Sequence, residues 1–380
     1  MPDRIRLGII GASPTVGWAH RSHLPAITAS PEYELTGVCT TRMETAEAAK
    51  KQYGARLAFD DYHKMLAHPE IDAVAVVLRV PAHYQITKDA INAGKHVFTE
   101  WPLGRTIEEA IELAELAKAK NVRAIVGLQA RAAPAILHMK ELVENGYVGQ
   151  ITSCSMRLIR GGVLERTSGR TWQRDNELGA HTLTIAAGHS IDALRFVAGE
   201  FTEVTSIVST QVDQWYETDT DKMLDVTSPD NILVSGRLAN GAVVSAHVAS
   251  NPFAGSGYIM EIYGREGTLV ATSEDSPQLG EVYLQGAQGS DDLQDIAIPD
   301  KHTNVLEGMP DGPPKNVGQM YYQFGEAIKG NTARSEEHTS ELQSLVNLVC
   351  RLLLEKKKQK KTTKQKTKKK KRPRDSTKDI

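Results

Sequence analysis

The sequence predicts an α/β protein with an N-terminal Rossmann domain, residues 1–130, and a C-terminal α/β domain, residues 131–333, built on an open, mostly antiparallel sheet. Three observations predict it. Over the first 130 residues, short apolar runs of strand length alternate with amphipathic runs of helix length, which gives a parallel sheet with helices on both faces. The first strand ends in a glycine turn that opens a helix, the arrangement whose backbone donors receive a pyrophosphate. Beyond residue 150 the strands are joined by tight-turn sequences, "NG" at 240–241 and "GREG" at 264–267, which suit antiparallel hairpins.

Taken in order, "RIRLGII" (4–10) is a strand, "GASPTVG" (11–17) the turn, and "WAHRSHLPAI" the following helix. Gly8, Gly11 and Ser13 mark the phosphate-binding opening; Ser13 stands where a second glycine is usual, and Gly17 comes late. "ELTGVCTT" (34–41) is the next strand, ending at Thr40, Thr41 and Arg42. A carboxylate there would grip a ribose 2′-hydroxyl. Hydroxyls beside an arginine instead accommodate a 2′-phosphate, so NAD or NADP is expected, with the balance toward NADP. The alternative is an Arg42 that is simply solvated at the start of the next helix.

"EIDAVAVVL" (70–78) reads as a strand buried on both faces, and "HYQITKDAINAG" (83–94) as a helix stopped at Gly94. "KHVFTE" is a strand. The helix 106–121 opens on a capping box, Thr106 with Glu109, and "RAIVGLQ" (123–129) adds one more strand. Gly11, Arg79, Pro81, His83, Glu100 and Gln129 then fall at or just beyond carboxyl ends of strands, where such sheets bind ligands.

The second domain begins with the helix 132–150 and continues in strands at "ITSCSMRLIR", 201–210, 231–239, 241–250, 258–264 and 267–272. "AAGHSIDALRFVAG" covers one face, and the other face is available for a dimer contact. The glycine-rich stretch 161–181 is long for a connection and reads as a ligand-facing segment. Residues 334–380 carry 16 Lys/Arg against 6 Asp/Glu, which leaves 29 against 41 in the preceding chain. The acidic body argues against a nucleic-acid groove. The basic tail, with "KKKKRPR", reads as a disordered, non-native extension rather than an import signal or polyanion patch. No run of eighteen apolar residues spans a membrane, and three scattered cysteines suit a reducing, cytoplasmic compartment. His20, His23, His63, His68 and His181 share no metal-ligand spacing, so no metal is expected.

The ordered set "LGIIGA", "HLPAI", "VPAHY", "AGKHVFTEWPLG", "GLQARAAP", "ENGYVGQI" and "AAGHSIDALRFVAG" resembles the glucose–fructose oxidoreductase, inositol dehydrogenase and rhizopine-catabolism family (Gfo/Idh/MocA) from about residue 4 to 330. Its variants resemble the branch of the yeast galactose-regulon repressor and related oxidoreductases. The resemblance implies NAD(P) binding, sugar-like or polyol substrates and homodimers. The family's Glu-Lys-Pro is Glu100-Trp101-Pro102 here, and Ile185 stands at its aspartate, while His189 matches its histidine. The lysine helps proton transfer, which Trp101 cannot do. His189 therefore becomes the one candidate for proton transfer, since hydride transfer from an alcohol leaves a proton to be accepted. Asp192 either orients it or pairs structurally.

Glu100 is expected at a ribose or nicotinamide edge. Trp101 either stacks on a ring or fills the lysine's space. Tyr84, Arg131, Arg160, Trp172 and Arg174 are substrate-rim candidates. Two functions follow: an oxidoreductase with His189 as its base, or a catalytically silent dinucleotide sensor that binds a protein partner. Open space beside His189 fits the first, and an indole plugging that space fits the second.

Overall fold

The computed structural model describes residues 4–330, so the tail from 334 lies outside the described residues. Strands β1 (Ile5–Ile10), β2 (Tyr33–Cys39), β3 (Leu57–Phe59), β4 (Ala73–Val76), β5 (His96–Glu100) and β6 (Ala124–Gly127) form a parallel sheet in the order β3-β2-β1-β4-β5-β6. The order reverses between β1 and β4, and the crevice beyond their carboxyl ends is the switch point where such sheets take ligands. All four residues of β4 are buried, as a run without polar alternation requires. The sequence reading missed β3, because three residues are too few to show a period.

After the glycine turn, a π-helical turn, Ala19–His23, precedes Leu24–Thr28. Pro25 has no N–H to give, which suits the irregular turn before it. Thr106 caps the helix Ile107–Lys120 by accepting the Glu109 amide. The Glu109 carboxylate takes the Arg105 amide, one residue short of a reciprocal box.

Gly11 is where the backbone admits only glycine. Its φ is +97°, and a Cβ would lie 2.1 Å from the Val77 carbonyl oxygen. Gly11→Ala is expected to lower stability by at least about 1–2 kcal/mol from the left-handed conformation alone, with the clash added; urea unfolding of the two proteins measures it.

The second sheet comprises β7 (Ile151–Arg160), β9 (Phe201–Ser209), β12 (Asn231–Leu238), β13 (Val243–Ser250), β14 (Gly257–Gly264), β15 (Gly267–Ser273), β16 (Tyr283–Gln288) and β17 (Gln294–Asp295). Its order is β17-β16-β15-β14-β7-β13-β12-β9, antiparallel except for the β7–β13 pair. Both expected hairpins form, β12–β13 around Asn240-Gly241 and β14–β15 around the Gly264–Gly267 turn. Helices Pro134–Glu144 and Gly188–Ala198 cover one face. Ile207, Leu233 and Val243 remain exposed on the other, with Leu233 directly across from Ile207.

The stretch 161–181 is not one open loop. Within it, β8 (Glu165–Arg166) pairs with β10 (Gln214–Glu217), which pairs with β11 (Lys222–Asp225), over a small core of Val163, Trp215 and Val226. Helix Pro313–Lys329 lies in the stretch assigned to the second domain, yet it packs on the first: Phe98, Tyr33, Tyr321 and Phe324 share one core. No helix among the described residues is long and apolar enough to cross a membrane.

Candidate functional site

Glu100 ends β5 at the crevice, and its carboxylate is held from two other elements. His23 Nε2 and Gln129 Nε2 both reach Oε1 at 2.8 Å. His23 is fully buried, and its Nδ1 lies 2.7 Å from the Tyr321 hydroxyl. Burial keeps that phenol protonated, so it donates to Nδ1 and leaves Nε2–H to donate to Glu100. Tyr33 donates to the Tyr321 carbonyl at 2.7 Å and completes the chain. Both donors converge on Oε1, which leaves Oε2 to meet a further donor. Gly127 makes the room: a Cβ there would stand 2.6 Å from Oε1. His23 and Tyr321 are functional neighbours that the sequence reading passed over. The histidine in "HLPAI" was the only signal, and Tyr321 gave none.

The glycine turn fits a dinucleotide's pyrophosphate by its backbone. Gly11 lets the turn pass against the Val77 carbonyl, and Ser13 and Gly17 follow it. The Gly11 and Ala12 amides, however, both donate to the Cys39 carbonyl, at 2.9 and 3.1 Å, so phosphate donors must come from later in the turn. The buried Trp18 Nε1 beside it has no partner. Thr41 and Arg42 are exposed at the end of β2, and Pro81 is exposed in the 3-10 turn Val80–Ala82.

Three expected cofactor contacts are placed elsewhere. Gly8 lies inside β1, where Met65 Sδ occupies its side-chain space at 2.6 Å from an added Cβ; it serves packing. His83 is buried with Nδ1 2.7 Å from the Pro102 carbonyl and Nε2 2.9 Å from that of Leu78, so neither ring nitrogen is offered to a ligand. Burial pushes its pKa down.

Trp101 is the third, joined to Pro102 by a cis peptide. Its indole is buried and donates to the Thr184 carbonyl at 2.6 Å. It lies against Gly188, where a Cβ would fall 2.5 Å from Nε1. The indole therefore fills a lysine's space and fastens the turn after β5 to the π-helical turn Leu183–Ala187.

Among the rim candidates, Arg131 turns inward. It forms a two-pronged ion pair with the fully buried Asp192, which also accepts from Arg195 Nη1 at 3.3 Å. Asp192 thus pairs structurally rather than orienting His189. The Arg174 guanidinium donates to the Asp225 carbonyl at 3.0 Å and pins the β10–β11 hairpin. Trp172 faces the first domain, with the Arg79 guanidinium 5.3 Å from its ring. Tyr84 donates to Glu112 at 2.6 Å on the surface.

His189 lies at the first turn of its helix, buried, with Nδ1 unpartnered. Desolvation drives its pKa down to about 4, against the opposing pull of the Glu100 and Asp192 carboxylates. It is a neutral base at the junction of the two domains. Beside Ile185 and Ala186 lies a cavity of about 110 Å³ that also reaches Arg160, Arg166 and Arg170. Burial raises both Cys39 and Cys154 to about 12, so neither thiol is a nucleophile. One unexpected cluster lies elsewhere: His138, Glu141 and His302 place ligand-type atoms within 4.8 Å of one another, and Lys301 pairs with the same carboxylate.

Comparison with known proteins agrees with this architecture. Residues 5–128 match the oxidoreductase family with an NAD-binding Rossmann fold, and residues 134–273 match the Gal80p C-terminal domain. The dehydrogenase aclE of Aspergillus oryzae is 32% identical over 263 residues, 66% of this chain and 72% of that protein. The galactose/lactose metabolism regulatory protein GAL80 of Saccharomyces cerevisiae is 26% identical over 256 residues, 63% of this chain and 59% of its own length. The structure of levoglucosan dehydrogenase with NADH and levoglucosan superposes with a TM-score of 0.79 at 23% identity, covering 92% of this chain and 96% of that one. With the switch-point sheet, the Glu100 anchor and His189 all in place, the chain belongs to the Gfo/Idh/MocA oxidoreductase family, on the side that includes the GAL80 regulators.

Proposed function

We propose that this protein is an NAD(P)-dependent oxidoreductase acting on a small hydroxy or keto compound of the sugar or polyol type. The observation that carries the reading is His189: a buried, neutral imidazole with an unpartnered nitrogen, within reach of the Glu100 charge and one turn after Ile185 and Ala186, which line a cavity. The bound dinucleotide supplies hydride exchange. His189 takes the hydroxyl proton as an alcohol is oxidised and returns it in the reverse direction. Glu100 Oε2 accepts from a hydroxyl of the cofactor or substrate, with Oε1 locked by His23 and Gln129. Ser13 lies at the turn that takes the pyrophosphate. The exposed Arg42, with no carboxylate at the end of β2, favours NADP over NAD. The exposed Ile207 and Leu233 favour a homodimer through the open sheet face.

The expected result is NAD(P)⁺ reduction with a member of a sugar and polyol panel, lowered about 10²–10⁴-fold in kcat/KM by His189→Ala with cofactor affinity kept. Because the imidazole is neutral above about 4, kcat/KM for oxidation should hold at higher pH and fall as pH drops through about 4. The sensor reading is favoured by one observation, the Trp101 indole in the place of the family lysine. Tight cofactor binding with no turnover across the panel decides for it.

A further inference from the structure

The stretch between β7 and the helix of His189 brings three arginines to one small cavity. Arg160 closes β7, Arg166 lies in β8 and Arg170 lies in the short helix Ser168–Thr171. The Arg166 guanidinium stacks on Trp215 at 5.0 Å, and its buried Nε has no acceptor. Arg170 makes no ion pair with a carboxylate among the described residues, and its charge is opposed by that of Arg21 in the first domain. Burial and the neighbouring Arg170 and Arg160 charges pull Arg166 down to about 10. Three like charges gathered at a partly buried site outnumber the two nearby carboxylates, Asp230 in the cavity wall and Asp275 on Arg160, and favour an anion.

The nearby carboxylates are already engaged. Asp275, which does not line the cavity, meets Arg160 Nε at 3.3 Å. Asp230 accepts the amides of Gln211 and Val212, the latter at 2.7 Å, and its charge is spread over those donors. The cavity's volume of about 110 Å³ is below the roughly 300–1,000 Å³ of whole-ligand pockets, so it takes one end of a ligand. Ile185 and Ala186, in the turn just before the helix of His189, line the cavity, and the Arg160 charge is felt by the His189 ring.

We infer that Arg160, Arg166 and Arg170 form an anion subsite that holds a carboxylate or phosphate group of the ligand while its hydroxyl or keto carbon sits near His189. This rests on the oxidoreductase reading for the placement of the reacting carbon, but the anion subsite itself is read by binding alone. Planar guanidinium forks match both anions, so the ligand is an acidic sugar derivative, either a sugar acid or a sugar phosphate, rather than a neutral polyol.

The test is calorimetric titration of the full chain with D-gluconate, with inorganic phosphate and with sorbitol, at constant ionic strength. The expected result is saturable binding of gluconate or phosphate and none of sorbitol. Arg166→Gln with Arg170→Gln should weaken the bound anion at least tenfold while NAD(P)H affinity stays unchanged. The basic tail is the same in both proteins, so the difference reports the cavity. Gluconate binding alone assigns a carboxylate, and phosphate binding alone a phosphate. Equal anion affinity in wild type and the double variant overturns the subsite, as does equal binding of sorbitol. Should the double variant unfold, Arg170→Gln alone, on an exposed side chain, is read the same way with a threefold or greater loss expected. Selective anion binding without turnover keeps the subsite and removes the enzyme; turnover of neutral polyols without anion binding does the reverse.

Discussion

Asp192→Ala is expected to destabilise the protein by about 3–5 kcal/mol, the usual cost of breaking a buried ion pair from one side. The carboxylate is fully buried between Arg131 and Arg195, which are 7% and 3% exposed, so its removal takes a shared counter-ion from two buried cations. Arg195 also pairs with Glu200, and the Arg131 guanidinium lies 5.2 Å from the face of Phe196. Asp192→Asn keeps the shape and one acceptor and should lose less. Chemical denaturation of the three proteins orders them. Equal stabilities for wild type and the alanine variant overturn the assignment of Asp192 as the structural counter-ion. Because Arg131 lies in the 3-10 turn after β6 and Asp192 on the helix of His189, the pair ties that helix to the turn. Its loss should loosen His189 without touching the glycine turn, so cofactor affinity should change less than turnover.

Trp101→Ala is expected to cost about 3–5 kcal/mol, the range for truncating a buried tryptophan. The indole contributes area to the main core and a hydrogen bond to Thr184. Trp101→Phe separates the two contributions: it keeps most of the packing and leaves the Thr184 carbonyl without its donor, a loss of about 1–3 kcal/mol. Gly188 supplies the cross-check. In the wild type an added Cβ meets the indole at 2.5 Å, so Gly188→Ala should be destabilising. In the Trp101→Ala background the same methyl enters vacated space and should be tolerated or stabilising. A thermal-unfolding cycle measures that coupling, and additive effects of the two substitutions would show that the indole and the glycine do not bear on each other. Trp101→Lys alone should restore no proton-transfer function, since Ile185 still stands where the family has its aspartate.

Local signals were read well wherever a segment satisfied its own physics. The apolar runs of β1 and β4, the Thr106 cap and the Asn240-Gly241 hairpin follow from propensity and period within a few residues. The same logic located Glu100 and Gln129 at strand ends, because a parallel sheet sends every strand end to one edge. It failed where the segment was short or the partner distant. β3 and the β8–β10–β11 sheet have too few residues for a pattern. Gly8 looked like a phosphate-loop glycine because spacing does not show that Met65 sits under it.

What the sequence by itself determined was the longer elements of the first sheet, their alternation and the two hairpins, fixed by neighbours within a dozen positions; His189 was singled out by the family resemblance. Only the tertiary structure decided which side chains were spent on one another. His83 went to two carbonyls, Arg131 to Asp192 61 residues away, and Glu100 to a histidine held by Tyr321, 298 residues beyond it. The reason is that hydrogen bonds and ion pairs act over about 3 Å. Which groups come that close depends on chain crossings between the sheet, the second domain and the returning helix Pro313–Lys329, and no local spacing encodes those crossings.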